Sequence, residues 1–320
     1  MIRDDIYDAY RQCTEKWFAG IENEVGFWDN FIGEKGGPWP RDYERRTQPV
    51  PPFVYGHMPE LPSWPPTILD VGAGPISDVG ISTPAGNVNL IACDALSPIY
   101  DAILLKHNLV PYVRSEFALV ERLTERYGAN RFDAVIMRNA LDHAFYAVDG
   151  LLQLFNVAKI GGQVLLAHAE NEAQCEFYNG FHQWNITIDG DKLVFWRDNS
   201  RIVVNDLFGD CATITNETRL LESSQKEWPG RRYIYTKIIK HKTIEVPPSK
   251  HLHIYDEMIA TTAFKAISQS FRKMTEPKDD QAPGTAEGLA KFEKKTFSLN
   301  SFRRTFAKKV WRIVQKLCRR

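Results

Sequence analysis

The chain has no net charge, no uninterrupted apolar run of roughly eighteen residues and no cysteine pair at C-x-x-C spacing. Each absence narrows its function. Forty Lys and Arg balance forty Asp and Glu, so overall charge gives no reason to expect a nucleic acid partner. Without a long apolar run a membrane-spanning helix is not expected, and the acidic start "MIRDDIYDAYRQ" lacks the apolar core of a secretory signal. The expectation is a soluble, cytoplasmic chain. Its five cysteines (Cys13, Cys93, Cys175, Cys211, Cys318) are odd in number and far apart, which argues against a disulfide framework and a zinc knuckle.

At 320 residues and 43% hydrophobic content the chain can bury a sizeable core. Residues 5–32 carry apolar side chains at helical spacing and suggest two helices. The proline-rich stretch 36–66 follows and reads as a linker or flap without regular structure. From residue 67 short apolar runs alternate with helical segments, the pattern of βαβ units and a mainly parallel sheet. Strands are expected at 67–71, 88–93, 110–114, 132–137 and 162–168, with helices near 76–81, 97–107, 117–127 and 146–158. A β-hairpin or three-stranded insertion is expected over 184–205, two closing strands at 211–216 and 231–240, and a helix around 254–274 (domain limits 250–275).

Residues 68–80 read "ILDVGAGPISDVG". Glycines at Gly72 and Gly74 after an apolar strand suit a strand-to-helix turn that lets a nucleotide-like ligand approach the backbone. Asp94 ends the next strand, where a carboxylate can accept hydrogen bonds from both ribose hydroxyls. Those two features fit NAD and S-adenosylmethionine equally. A pyrophosphate site is poorly supplied, however, because Ser77 stands where the dinucleotide fingerprint wants Gly or Ala and Pro75 lacks an amide donor.

The stretches "RFDAVIMRNALDHAFY" (131–146) and "KIGGQVLLAHAENEA" (159–173) complete the pattern. Together with the G-x-G-P turn and the strand-end aspartate, they resemble the class I S-adenosylmethionine-dependent methyltransferases from about residue 65 to 172, and more weakly to 240. The resemblance implies a Rossmann-like, seven-stranded, mostly parallel sheet with helices on both faces, an N-terminal helical lid (1–64), a methyltransferase domain (65–245) and a C-terminal helical extension. It implies S-adenosylmethionine as cofactor. Asp70 with the backbone of Gly72 and Gly74 would hold its methionine end, Asp94 the ribose, and Ala95, Leu96, Val120 and Glu121 the adenine. Arg138 and Asn139 leave the end of the fourth strand, in the crevice where ligands bind in an open α/β sheet.

Methyl transfer from a sulfonium is an in-line displacement that mainly requires alignment and exclusion of water. A hydroxyl acceptor also needs a base. Adjacent Asp142 and His143 lie at the correct end of the sheet, and His143 is the expected base, although adjacent side chains point apart and one of them could merely cap a helix. His182, Gln183, Trp184 and Asn185 set polar groups beside an aromatic plate, a surface suited to a sugar or, equally, a buried core under the hairpin. His168 and His182 invite a metal, but a third ligand at diagnostic spacing is missing, so none is expected.

After a polar Pro- and Gly-rich linker (276–290), the segment 291–320 holds eleven Lys or Arg against Glu293. Leu299, Phe302, Phe306, Val310, Ile313 and Leu317 recur three or four residues apart, the pattern of an amphipathic helix drawn to an anionic membrane surface or docked on an acidic partner. The expected function is O-methylation of a saccharide hydroxyl in surface-glycan biosynthesis, on a lipid-linked glycan. The alternatives are a small-molecule or lipid acceptor, and a non-catalytic S-adenosylmethionine-binding module recruited to membranes.

Overall fold

The computed structural model describes residues 4–54, 61–197, 200–220 and 232–244. The helix expected over 254–274, the linker and the basic tail lie outside the described residues. In chain order come α1 (Asp4–Gly33), α2 (Pro40–Thr47), β1 (Thr67–Val71), a small ribbon of β2 (Ser82–Thr83) and β3 (Gly86–Asn87), β4 (Asn89–Asp94) and α3 (Ser97–Lys106). Then follow β5 (Glu116–Phe117), α4 (Leu123–Tyr127), β6 (Phe132–Arg138), α5 (Ala147–Val157), β7 (Ala158–Ala169) and α6 (Glu172–Cys175). The last elements are β8 (Asn185–Asp189), β9 (Lys192–Arg197), β10 (Ser200–Val203), α7 (Val204–Phe208), β11 (Ala212–Leu220) and β12 (Arg232–Lys240). Among the described residues no helix is long and apolar enough to cross a membrane.

Seven strands form one sheet in the order β11-β12-β7-β6-β1-β4-β5. The five from β7 to β5 run parallel, and β12 is antiparallel to both β7 and β11. This is the Rossmann-like, mostly parallel sheet expected from the sequence. Its central strands are nearly continuous apolar runs because both faces are covered. Leu69, Val71, Val135 and Met137 point toward α5 and the separate β8–β10 sheet, whereas Ile68, Ala134 and Ile136 point the other way, toward Val79 and Val88. Phe53 and Leu61 pack on that second face, so the proline-rich stretch serves as a cover for the sheet.

Four local expectations need correction. Residues 4–33 form one helix, because the stripe Trp17, Ile21, Val25, Trp28, Ile32 continues unbroken against α3. The proline-rich flap contains α2, which Pro40 starts in the first turn, where its missing N–H costs nothing. No helix forms at 76–81. The Ser77 hydroxyl accepts the Val79 N–H, and the Tyr112 hydroxyl accepts the Gly80 N–H while donating to the Ser77 carbonyl, so side chains take the groups a helix would use. The third parallel strand falls at Glu116–Phe117, after the exposed Val110, instead of at 110–114.

Lys240 at the end of β12 is fully buried and has no carboxylate partner among its hydrogen bonds. Its Nζ donates to Asn130 Oδ1 and to the carbonyls of Phe155, Asn156 and Ala158 at 2.9–3.1 Å. It closes the C-terminal end of α5, where carbonyls lack intrahelical partners. Burial pushes its amine down to about 8. Lys240→Met should leave those oxygens buried and unpaired, at a cost on the order of 3 kcal/mol, or about 5–10 °C in Tm. A thermal melt superimposable on that of the parent would refute this capping role.

Candidate active site

The chain passes from β1 to β4 on one side and later returns to β6 on the other, so the strand order switches direction at β1. In an open α/β sheet, the crevice at the carboxyl ends of such strands receives ligands. A cavity of about 990 Å³ lies there, lined from the sheet side by Asp70, Gly72, Gly74, Asp94, Arg138 and Asn139. Ala95, Leu96, Val120 and Glu121 line it from the turns after β4 and β5, and Trp17 and Trp28 of α1 close it from above.

The turn after β1 takes the form its glycines allow. Gly72 and Gly74 have φ of +68° and +64°, which L side chains rarely adopt. A Cβ on Gly72 would lie 2.5 Å from the Ala140 Cβ, and one on Gly74 only 2.4 Å from the Trp28 ring. The second glycine therefore lets α1 lay a tryptophan on the turn. Asp94 accepts the Gly74 N–H through Oδ2 at 3.0 Å and the Leu96 N–H through Oδ1 at 2.7 Å. Each oxygen keeps a lone pair for a further donor. Burial pushes the carboxyl up to about 6, against the pull of the two amides.

A charged network supports the same end. The Asp70 carboxylate accepts the Ser77 hydroxyl at 2.6 Å, and burial together with neighbouring Asp78 pushes its pKa well up. Burial also opposes the charge on Asp78, yet Arg46, Arg138 and Arg45 outweigh it and hold that carboxyl below its usual range. Arg138 reaches Asp78 at 2.6 Å and Arg46 at 3.6 Å. Arg46, from α2 in the supposed unstructured flap, also lines the cavity. Glu121 is buried, its carboxylate accepts the Phe145 N–H at 2.8 Å, and burial raises its pKa to about 7. Asn139, at φ +46°, accepts the Ala169 N–H at 3.2 Å.

The same cavity also brings together residues forty positions apart. Asp142 Oδ2 lies 2.9 Å from His182 Nδ1, His182 Nδ1 lies 3.2 Å from His143 Nε2, and His143 Nε2 lies 3.5 Å from Asp142 Oδ2. His143 and His182 line the cavity; Asp142 is 2% exposed and stands behind them. Burial pushes the His143 imidazole down to about 4. Burial works the same way on His182, but the Asp142 carboxylate outweighs it and lifts His182 to about 9. The two rings thus differ in charge near neutral pH, with a neutral His143 beside a cationic His182.

Three expected acceptor residues sit elsewhere. Gln183 is buried and donates to the Cys13 carbonyl at 3.1 Å; Trp184 packs edge-on against Tyr146 in the core; Asn185 is fully buried, bonded to the Gln174 N–H and the Tyr178 hydroxyl. None lines the cavity. They join the β8–β9 sheet to the domain, and of the four only His182 reaches the site. Asp142 likewise stands behind His182, 2.9 Å from its Nδ1, and does not line the cavity. The aromatic surface beside His182 comes from Trp17 and Phe181, stacked with centroids 4.9 Å apart. Nothing in the local sequence pairs those two, since α1 and the turn after α6 meet only in the fold.

The fit to S-adenosylmethionine can be judged from these groups. A phosphate-free ligand with an amino acid end and a ribose matches a glycine turn flanked by Asp70, Arg46 and Arg138, and the half-free carboxylate of Asp94.

No family profile matches the chain, and no curated protein is similar to it in sequence. Solved structures with a similar fold do exist. One is a Burkholderia thailandensis 1,6-didemethyltoxoflavin N1-methyltransferase with bound S-adenosylhomocysteine, 17% identical over 56% of this chain and 72% of its own, with a TM-score of 0.35. A second is an arsenic(III) S-adenosylmethionine methyltransferase from Chlamydomonas reinhardtii (14% identity, 61% of this chain, 71% of that one, TM-score 0.34). A third is a 16S rRNA methyltransferase from T. thermophilus (13% identity, 62% of this chain, 43% of that one, TM-score 0.32). The fold is Rossmann-like, and these similar structures are methyltransferases. Their acceptors are unlike one another.

Proposed function

We propose that the protein is an S-adenosylmethionine-dependent methyltransferase that O-methylates a hydroxyl-bearing acceptor, in its most specific form a saccharide. One observation carries this reading: a single cavity is lined by the glycine turn and Asp94 together with His143 and His182. S-adenosylmethionine supplies an electrophilic methyl group. The chain's own residues do the rest. Asp70, Arg46 and Arg138 receive the amino acid end, and Asp94 accepts from the ribose while fixing the turn through the Gly74 and Leu96 amides. Trp17, Trp28 and Phe181 exclude water above the reacting centre. The Asp142–His182–His143 cluster takes charge of the acceptor's hydroxyl proton, which must leave as the new bond forms.

The aromatic pair Trp17 and Phe181 suits the C–H face of a sugar, and suits a flat small-molecule acceptor equally well. Incubation with methyl-labelled S-adenosylmethionine and fractionated cell extract separates the two. Label in polysaccharide supports the saccharide, label in small metabolites the second acceptor class, and no incorporation anywhere defeats the enzymatic reading.

The basic segment 291–320 adds a proposed address on the cytoplasmic face of an anionic membrane. The full chain should float with anionic vesicles and lose this behaviour in high salt, while a chain ending near Gln281 should not float. Phe306→Ser with Trp311→Ser should release it too, because charge alone anchors weakly. Flotation indifferent to both changes would point instead to an acidic protein partner.

A further inference from the structure

We infer that Asp142, His143 and His182 form a binding site for one divalent transition-metal ion of the zinc type. The three donor atoms make a triangle with edges of 2.9, 3.2 and 3.5 Å. Zinc binds imidazole nitrogen and carboxylate oxygen at about 2.0–2.2 Å. Across those bond lengths, two such ligands lie about 2.8–3.1 Å apart at right angles and about 3.3–3.6 Å apart at the tetrahedral angle, a range that contains all three edges. Two imidazoles and one carboxylate on one side of an ion, with its other positions open, is a recognised donor set for first-row metals.

Hydrogen bonding satisfies one edge of the triangle well and the others less so. The His182 Nδ1 proton, directed at Asp142 across 2.9 Å, leaves no well-aligned donor for the 3.2 Å edge to His143. A cation at the centre lets all three atoms present lone pairs. Two further observations favour it. Asp142 Oδ1 is buried without a hydrogen-bond partner, and so are both ring nitrogens of His168, which lies close enough to act on the Asp142 charge. Glu24, Glu172 and Glu176 line the same cavity as His143 and His182 and add carboxylates around them. A dication would relieve that excess.

The sequence concealed this site because two of its ligands are adjacent and the third is forty residues away. A short 3-10 turn, Leu141–His143, makes the adjacency usable by turning Asp142 inward and His143 to the cavity. Because His143 and His182 line the cavity, the open coordination positions face the acceptor space. Binding of the ion stands on this geometry alone. Its role, to lower the pKa of a coordinated hydroxyl so that the proton leaves near neutral pH, rests on the function proposed above.

The test uses the full-length protein, dialysed against chelator, with no S-adenosylmethionine present. Calorimetric titration with Zn²⁺ should show one ion per chain with a Kd in the micromolar range or tighter, and Mg²⁺, which favours oxygen ligands, should bind far more weakly. His143→Gln and His182→Gln should each weaken zinc at least tenfold, with circular dichroism matching the parent. Co²⁺ should give visible ligand-field bands of a low-coordinate nitrogen- and oxygen-ligated ion in the parent itself, a readout that needs no variant to fold and whose absence would also overturn the inference. No stoichiometric binding, zinc affinity indifferent to both variants, or preference for Mg²⁺ would each overturn the inference, the second by marking an adventitious ion only. S-adenosylmethionine affinity measured in chelator tests the cofactor reading separately, so either result can fail without the other.

Discussion

Replacing His143 by alanine is expected to slow methyl transfer roughly 10²–10⁴-fold while S-adenosylmethionine affinity stays within about twofold. The separation of the two effects follows from the cavity. His143 contacts His182 and lies edge-on to Phe181, whereas the groups suited to the cofactor gather around the Gly72–Gly74 turn. Burial favours its neutral ring, which leaves a lone pair for a proton or an ion. His182→Ala should cost a comparable factor, since that ring is the one Asp142 holds at 2.9 Å. The double variant should lose little more than either single one, because residues that act as a unit are not additive. Single-turnover rates with saturating cofactor measure this. A normal rate in His143→Ala would show that the acceptor needs nothing from this end of the cavity. Losses that multiply in the double variant would show that the two rings act separately.

The central fold was legible because period and punctuation agreed along the sheet. Thr67–Val71 and Phe132–Arg138 are continuous apolar strands between turn signals, and each is buried as that pattern demands. Misreadings fall where tertiary contacts override local cues. Residues 76–81 follow a strand and a glycine turn, where a helix is expected, but Asp70, Tyr112 and the Ser77 hydroxyl claim their polar groups. Prolines 38 and 40 signalled a break, yet Pro40 sits where a helix tolerates it.

The site divides along the same line. The placement of Gly72, Gly74 and Asp94 around one cavity was readable because one βαβ unit holds them together. The Asp142–His182 contact, Trp28 over Gly74, and Arg46 beside Asp78 join segments 20 or more residues apart, which no short motif records. Gln183, Trp184 and Asn185 show the opposite case. Their composition suits a sugar, yet Trp184 packs in the core, Asn185 is buried against the Gln174 N–H and the Tyr178 hydroxyl, and Gln183 turns back to α1. A polar and aromatic cluster predicts surface chemistry only when its backbone faces the cavity.

Asp94→Ala should weaken S-adenosylmethionine by roughly tenfold to 150-fold, on the order of 1.5–3 kcal/mol, the range for a hydrogen bond to a charged group. Two losses are combined in that change. The ribose loses its acceptor, and the Gly74 and Leu96 amides lose the oxygens that hold the turn at 3.0 and 2.7 Å. Asp94→Asn separates them: its amide oxygen can still accept one backbone N–H, but it offers no charge and one acceptor fewer to the ribose. An intermediate affinity for asparagine, with thermal stability close to the parent, would assign most of the effect to the ribose. Calorimetry with S-adenosylmethionine, and with adenosine as a fragment that keeps the ribose but lacks the methionine end, makes the assignment sharper. Both ligands should weaken by a similar factor if Asp94 serves the ribose. Should adenosine bind the variant as it binds the parent while S-adenosylmethionine weakens, Asp94 would belong to the methionine end of the cavity, and the orientation of the cofactor proposed here would be reversed.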